Sequence, residues 1–565
     1  MKQLIECVPN FSEGRDMHII KQITDAIETV DGVKLLDVDP GKATNRTVVT
    51  FVGEPEAVIE AAFLGIKKAS ELIDMSKHSG EHPRMGATDV CPLIPVGNIS
   101  MEETVEWAKK LGARVGSELN IPCYLYESAA SKPQWRNLAV VRSGEYEGLA
   151  DKLKKPEWKP DFGPAQFNAR AGATAIGARD FLIAYNVNIN TTSVRRANSI
   201  AFDVREKGRV KREGNKPTGK ILTDENGESI RIPGVLKGVK AIGWYIEEYG
   251  ITQISMNITD IRQTPLHHAF EACLESAHRR GMRVTGSELV GLVPLQVMLD
   301  AGKYFLAKQN RSLGVSNSEL IKIAVKSMGL DELTPFDPEL KIIEYNLERD
   351  NPEKGNRLID KNLTGFADET ASESPAPGGG SISAYVGALG ASLATMVANL
   401  SSHKRGWDDR WEYFSKVAEQ GQAIKDQLLR AVDEDTDSFK AIMEAFGLPK
   451  STEEEKAARK EAIQQATIHA IEVPKKVVHI ALDSFEIIRD MAENGNPNSV
   501  TDAGVGALCA RAAVLGAAWN MEVNTMDLND KALAQSYREE AARCRDKANQ
   551  LEQEISAIVN QKLGL

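Results

Sequence analysis

Imidazole, guanidinium and carboxylate groups crowd into one short stretch, Lys77-His-Ser-Gly-Glu-His-Pro-Arg-Met-Gly-Ala-Thr-Asp89. Gly80, Pro83 and Gly86 keep it out of a helix. It lies between a helical pattern over 55–73 and an apolar run over 90–96. A polar loop hung between two regular elements is where catalytic groups tend to sit. His82 is the best candidate for a general base, because imidazole alone has an unperturbed pKa near neutrality. A solvated surface loop would carry the same residue types, so the stretch by itself leaves both readings open.

His78 and His82 are four residues apart, a metal-ligand spacing on a helix. The pattern is not His-Glu-x-x-His, no third ligand follows, and Gly80 and Pro83 oppose the helix. Arg84 suits a substrate carboxylate, since its planar fork matches both oxygens, or it pairs with Glu81.

Three further stretches carry polar groups in suggestive order. Val432-Asp-Glu-Asp-Thr-Asp-Ser-Phe439 places four carboxylates in five positions of a long helical pattern. Asp433 and Asp437 share a face there, while Asp435 points elsewhere. Such a cluster is either a solvated face or, for a carboxyl turned inward, a proton donor or acceptor. Pro375-Ala-Pro-Gly-Gly-Gly-Ser381 opens a helix without the Gly-Lys-Ser/Thr of a Walker loop. Its glycines form an anion nest or permit close backbone approach. Asn494-Gly-Asn-Pro-Asn-Ser-Val-Thr-Asp502 suits hydrogen bonding to a polar heterocycle, and turn chemistry alone also explains it.

The elements that must position these groups change character halfway along the chain. Apolar runs and helical periods over the first third follow the order β-α-β-β-α-β, with Ser12 expected to cap the helix over 18–30. A similar order recurs from residue 181. The pattern predicts two ferredoxin-like α/β subdomains, 1–180 and 181–342, then a linker at 343–366. An all-α helical bundle over 367–565 follows, with Pro474 breaking or kinking one helix and Thr501 or Asp502 capping another. The charged, Gly/Pro-bearing insertion at 207–237 is expected as a loop or hairpin.

At 565 residues the chain has room for several domains, and 42% hydrophobic with 26% charged residues is ordinary for a soluble globular protein. The net charge of −11 argues against a dedicated nucleic-acid binder. Six scattered cysteines without a Cys-x-x-Cys pair point to reduced thiols and a cytoplasmic location. The N-terminus lacks the apolar core of a signal peptide. Residues 377–403 are uncharged but mostly Gly, Ala and Ser, which suits a buried bundle helix better than a bilayer span.

Taken together, several motifs resemble a known family. Cys7-Val-Pro-Asn-Phe-Ser-Glu-Gly14, Asn45-Arg-Thr-Val, Gly80-Glu-His-Pro-Arg-Met-Gly86, Ala184-Tyr-Asn-Val-Asn188, Gln253-Ile-Ser-Met-Asn257 and Gly286-Ser-Glu-Leu-Val-Gly-Leu-Val-Pro294 are similar to glutamate formiminotransferases. Pro377-Gly-Gly-Gly-Ser381, 432–439, Leu448-Pro-Lys and Gly495-Asn-Pro-Asn-Ser-Val-Thr-Asp-Ala503 are similar to cyclodeaminases. Their order is that of the bifunctional formiminotransferase-cyclodeaminase family.

The resemblance implies two reactions. A formimino group passes from N-formimino-L-glutamate to N5 of tetrahydrofolate, in histidine degradation. The 5-formiminotetrahydrofolate then closes to 5,10-methenyltetrahydrofolate with loss of ammonia. It implies His82 as the transferase base and Asp39 as its assistant. Folate would bind along Gly163, Pro164, Ala165, Gln166, Phe167, Asn168, Ala169, Arg170, Ala171 and Gly172, and Asp435 would be the cyclodeaminase carboxylate. Asn10, Arg46, Arg84, Gly379, Asn496, Asn498 and Asp502 are weaker substrate-binding candidates. Tetrahydrofolate, polyglutamated, is a co-substrate; no metal or redox cofactor, nucleic acid or membrane is called for, and a homo-octamer is implied. The alternatives are a methenyltetrahydrofolate cyclohydrolase in the second half, or a non-catalytic folate-binding scaffold.

Overall fold

A computed structural model describes residues 3–42, 44–80, 82–215, 218–349 and 357–565. An α/β region with mixed sheets comes first and a helical region follows. The chain divides into two compact units, Met1–Val297 with Met328–Arg349, and Met298–Ser327 with Asp350–Leu565.

The first unit holds two large sheets. Strands β1 (Leu4–Cys7), β2 (Asn10–Phe11), β3 (Val33–Gly41), β4 (Arg46–Gly53), β5 (Thr88–Gly97), β6 (Cys123–Glu127) and β7 (Thr174–Ala178) form the first. Both β1 and β2 lie between β4 and β5, and β5, β7 and β6 are parallel neighbours. Strand β8 (Ile183–Ile189) starts the second half of the unit; β9 (Arg209–Val210) and β10 (Arg231–Ile232) pair within the insertion as a small hairpin-like ladder. Residues 216 and 217 of that insertion lie outside the described residues. Strands β11 (Val239–Ile246), β12 (Ile251–Ile258) and β13 (Val284–Val290) complete the second sheet in the antiparallel order β11-β12-β8-β13. Numbered along the chain, β1, β3, β4, β5 and β8, β11, β12, β13 both stand in the order 2-3-1-4.

Helices cover one face of each sheet. Side chains alternate across a strand, so Ile5, Cys7, Phe51 and Leu93 point to one side. They pack there against α1 (Met17–Glu28), α2 (Pro55–Leu72) and α3 (Met101–Glu118). Each fully buried side chain such as Phe51 or Ile66 stabilises the unit by roughly 1.5–3 kcal/mol. In the second sheet the corresponding helices are α4 (Val194–Val204) and α5 (Leu266–His278). Ser12 does not cap α1. Asp16 does, accepting from the amides of His18 and Ile19, while Ser12 lies one turn too early and donates instead to the Gly86 carbonyl at 2.7 Å.

Of the expected linker at 343–366, residues 350–356 lie outside the described residues, whereas Ile343–Arg349 is helical. The second unit contains α6 (Gly379–Ser402), α7 (Trp411–Gly447), α8 (Glu453–Asn494), α9 (Val500–Asn524) and α10 (Lys531–Leu563). Helix α8 runs on through Pro474. Helix α9 starts at Val500, four residues before the apolar pattern that begins at Gly504, so Thr501 and Asp502 fall inside its first turn rather than at the cap. Gly and Ala let α6 and α9 approach closely: a Cβ on Gly387 would stand 3.1 Å from the Ala513 Cβ, and one on Gly390 would stand 2.9 Å from the Gly506 carbonyl oxygen. By length and composition both helices could cross a membrane, yet α6 buries its small residues inside the bundle.

Candidate active sites

The sheet faces left uncovered by helices in the first unit line a common cleft of about 550 Å³. That is the size of small-molecule sites. Strand alternation supplies its floor: Glu6 on β1, Asn10 on β2, Asp37 and Asp39 on β3, Arg46 on β4 and Val90 on β5. Lys240, Ile242, Trp244, Asn186, Ser255 and Asn257 of the second sheet line it as well.

His82 stands on this cleft beside Arg46. Its Nδ1 is 2.7 Å from the Pro83 carbonyl oxygen and 3.2 Å from Arg46 Nη1. The Pro83 carbonyl calls for a proton on Nδ1 and the Arg46 donor for a lone pair there; the carbonyl contact is the shorter, and on it we assign the Nδ1–H tautomer with a lone pair on Nε2. Burial, and then the Arg46 charge, push the imidazole pKa down to about 4, so it is neutral at physiological pH.

Asp89 holds this corner together. Its carboxylate is fully buried, 2.5 Å from Arg46 Nη1 and 2.6 Å from Arg142 Nη2, and accepts the Met85 amide at 3.1 Å. Burial alone would raise its pKa, but Arg142 and Arg46 outweigh that and hold it below the ordinary carboxylate range. The remaining Arg46 donors go to Asn10 Oδ1, at 2.7 and 3.0 Å.

Of the residues expected from sequence, His82, Asp39, Asn10 and Arg46 therefore share one cleft. Burial raises the Asp39 pKa, Lys341 opposes the rise and Glu288 adds to it. Arg84 is elsewhere. Its guanidinium is taken by Glu147 at 2.7 Å and Glu145 at 3.2 Å, and it faces a separate depression with His78 and Gly144. His78 binds the Asn45 carbonyl through Nε2 and accepts from Arg84 through Nδ1, so the two histidines have different partners. Residues 163–172 do not line the cleft either. They fold behind the His82 loop: Gly172 bridges Gly86, Asn168 Oδ1 accepts the Arg170 and Ala171 amides, and Phe167 packs on Tyr146.

In the helical unit Asp435 leaves the acidic face of α7 and turns inward. Its Oδ2 accepts from Ser381 Oγ at 2.9 Å, at the start of α6. Burial raises its pKa, opposed by the Ser381 hydroxyl and amide. A Cβ on Gly380 would land 2.1 Å from Asp435 Oδ1, and one on Gly379 would land 3.2 Å from Asn520 Nδ2. The glycines thus open room for a carboxyl and an amide beside the helix end. Asp437 stays exposed on Lys440, and Asp433 caps the Leu358 amide at 2.7 Å.

Asn496, Asn498 and Asp502 are not beside Asp435. The Asn496 amide donates to Ser401 Oγ at 2.8 Å, at the other end of α6. Ser381 and Ser401 are twenty residues apart on that helix, about 30 Å at 1.5 Å per residue. Asn496 Oδ1 accepts from the Asn498 amide, and Asp502 stands in the first turn of α9.

Sequence reasoning missed Glu6, Asp37, Arg142 and Arg179 in the cleft, and Asn520 beside Gly379. Glu6 carried a signal, a lone carboxylate inside an apolar strand. Arg142 and Arg179 lie far from the motif and carried none.

Three family models match the chain. Residues 4–179 match the formiminotransferase domain, N-terminal subdomain; residues 184–348 match the formiminotransferase domain; residues 362–543 match formiminotransferase-cyclodeaminase. The chain is 44% identical over 530 residues to the formimidoyltransferase-cyclodeaminase of Mus musculus, covering 94% of each. It is 45% identical over 305 residues to the glutamate formimidoyltransferase of Thermoplasma acidophilum, 54% of this chain and 92% of that one. It is 36% identical over 210 residues to a methenyltetrahydrofolate cyclohydrolase of Methylorubrum extorquens, 37% of this chain and 99% of that one.

Proposed function

The chain belongs to the formiminotransferase-cyclodeaminase family, and on that premise we propose that the cleft and the Asp435 pocket carry its two reactions. It is a bifunctional enzyme, a glutamate formimidoyltransferase and a formimidoyltetrahydrofolate cyclodeaminase, with tetrahydrofolate as a substrate. It moves the formimino group of N-formimino-L-glutamate to tetrahydrofolate, releasing L-glutamate. It then cyclises 5-formiminotetrahydrofolate to 5,10-methenyltetrahydrofolate, releasing ammonia.

The observation that carries the transferase assignment is His82 standing on the cleft with its Nδ1 on the Pro83 carbonyl, which we read as a neutral ring with Nε2 free. In our reading N5 of tetrahydrofolate attacks the formimino carbon and gives its proton to Nε2. The tetrahedral adduct then breaks its bond to the glutamate nitrogen, which takes that proton back from the imidazolium. Substrate carboxylates beside Arg46 offset the charge that suppresses His82 protonation, so the base strengthens when loaded. Asp39 assists by stabilising the amidinium character of the formimino group. Arg84 holds the catalytic loop through Glu145 and Glu147, and residues 163–172 support that loop from behind while offering Phe167 and Gln166 to the folate.

In the helical unit N10 attacks the formimino carbon, and its proton passes to the imino nitrogen. Loss of ammonia needs one more proton, and Asp435, whose burial favours the protonated form, donates it. Gly379 and Asn520 receive the ring, while Asn496, Asn498 and Asp502 serve a contact completed in a homo-oligomer. The octamer and transfer of a polyglutamated intermediate between sites belong to the same proposal. So do the cytoplasmic location, the ferredoxin-like character of both α/β repeats and domains at 1–180, 181–342 and 367–565 joined by 343–366.

The bacterial cyclohydrolase relative favours a second reading of the helical half, hydrolysis of the same methenyl bridge. An absorbance assay for methenyltetrahydrofolate, run with ammonia detection, separates the two. Wild type should release ammonia and form product. His82→Ala should stop glutamate release, and Asp435→Ala should accumulate 5-formiminotetrahydrofolate. Methenyl hydrolysis without ammonia release would move the second half to the cyclohydrolase reading. Folate binding without turnover would leave a scaffold.

A further inference from the structure

Glu6 has no role in the reactions as written above, yet it is the most deeply buried of the carboxylates that line the cleft. On β1 its neighbours Ile5 and Cys7 face the helices, so Glu6 faces the ligand side. It is 4% exposed. Burial pushes its pKa up to about 7, and the nearby Arg179 charge only partly opposes that. A carboxylate that lines a cleft in this way gains when a bound ligand supplies N–H donors. A strand interior keeps such a group where a ligand supplies the donors. Asp37 and Asp39 are different, half-buried and near Lys341.

We propose that Glu6 is the specificity residue for the pterin of tetrahydrofolate, its carboxylate accepting from N3–H and the 2-amino group. This rests on the transferase reading of the cleft. Those two N–H groups form a parallel donor fork, the same geometry that a carboxylate matches in a guanidinium. The walls beside Glu6 are flat and apolar, with Val8, Pro92 and the Tyr126 ring. Glu6 lies four residues before Asn10, the partner of Arg46 next to His82. That is about 13 Å of extended chain, a span filled by a bicyclic ring and one Glu side chain. The ring edge would thus sit on Glu6 while N5 points to His82.

The test compares tetrahydrofolate with its 2-desamino analogue by equilibrium binding, followed through tryptophan fluorescence, in wild type, Glu6→Gln and Glu6→Asp. Wild type should prefer tetrahydrofolate by about 10- to 100-fold. Glu6→Gln should lose most of that preference, Glu6→Asp should keep part of it, and the KM for formiminoglutamate should stay unchanged in both. Circular dichroism checks folding, and should Glu6→Gln not fold, Glu6→Asp decides. Preference retained in the folded variants, or no preference in an active wild type, overturns the assignment of Glu6 alone. A wild type that neither binds tetrahydrofolate nor turns over overturns the transferase reading beneath it.

Discussion

Arg46 and Asp89 form a buried ion pair, Nη1 to Oδ2 at 2.5 Å, and the same Nη1 lies 3.2 Å from the ring of His82. One guanidinium therefore ties the foundation of the site to its reactive group. Asp89 anchors Arg46 and Arg142 from the start of β5, Arg46 orders Asn10, and its charge adds to the burial that keeps the imidazole neutral.

Removing the charge of Asp89 should be costly. Asp89→Asn leaves two arginines facing a neutral amide in a site sealed from water. Breaking a buried pair from one side costs about 3–5 kcal/mol. Denaturant unfolding should show a loss of that order, together with loss of transferase activity. A change under about 1 kcal/mol would mean that solvent or Asn10 already satisfies Arg46.

His82 should leave a signature in acid. Its pKa is depressed in the folded state, about 4 against the ordinary 6.5. Above pH 6.5 both states are neutral and the full stability is present. As pH falls through 6.5 the unfolded chain gains a proton that the folded one refuses, so stability declines until about pH 4. His82→Gln should flatten this part of the stability curve between pH 6.5 and 4. Arg46→Leu should raise the His82 pKa, read directly from the imidazole NMR shift. An unchanged imidazole titration in Arg46→Leu would show that burial alone sets it.

Residue types and local order made much of this legible in sequence. Gly80, Pro83 and Gly86 marked the His82 loop, and the family resemblance pointed to Asn10, Asp39 and Arg46. The motif did not reveal where residues 163–172 and Arg84 would fall, because both contact the loop from behind and spacing cannot say which side of a loop faces a ligand. Residue types alone left Asp435 between a solvated row and an inward carboxyl, and only the resemblance singled it out; its place against Gly380 and Ser381 of another helix is what spacing could not show. The distance between Asp435 and Asn496 was invisible for the same reason, since both sit near α6 in sequence pattern but at its opposite ends.

Gly380→Ala tests that approach. The added methyl would fall 2.1 Å from Asp435 Oδ1, so the carboxyl must swing away or the helices must part. Overpacking of this kind costs about 1–3 kcal/mol. Cyclodeaminase activity should fall at least tenfold with 5-formiminotetrahydrofolate accumulating, while transferase activity in the other unit stays near wild type. Equal loss of both would indicate general unfolding, which the melting curve would reveal. Full deaminase activity would remove Asp435 from the reaction.

The last prediction concerns the outside of the bundle. Val505, Leu508, Trp519 and Val523 share one face of α9, and Trp519 is 61% exposed. Leu389 and Leu400 extend the same apolar character on α6, which packs beside it. An apolar surface of this extent on a folded helix pair is an association site more often than a solvated one. A homo-oligomer would bury it. Leu508→Glu with Trp519→Glu places two charges on that face without touching the Asp435 pocket. Light scattering should show a smaller species, and deaminase activity should drop while transferase activity persists. An unchanged mass would move the interface elsewhere; a smaller species with full deaminase activity would show that each bundle closes its own site.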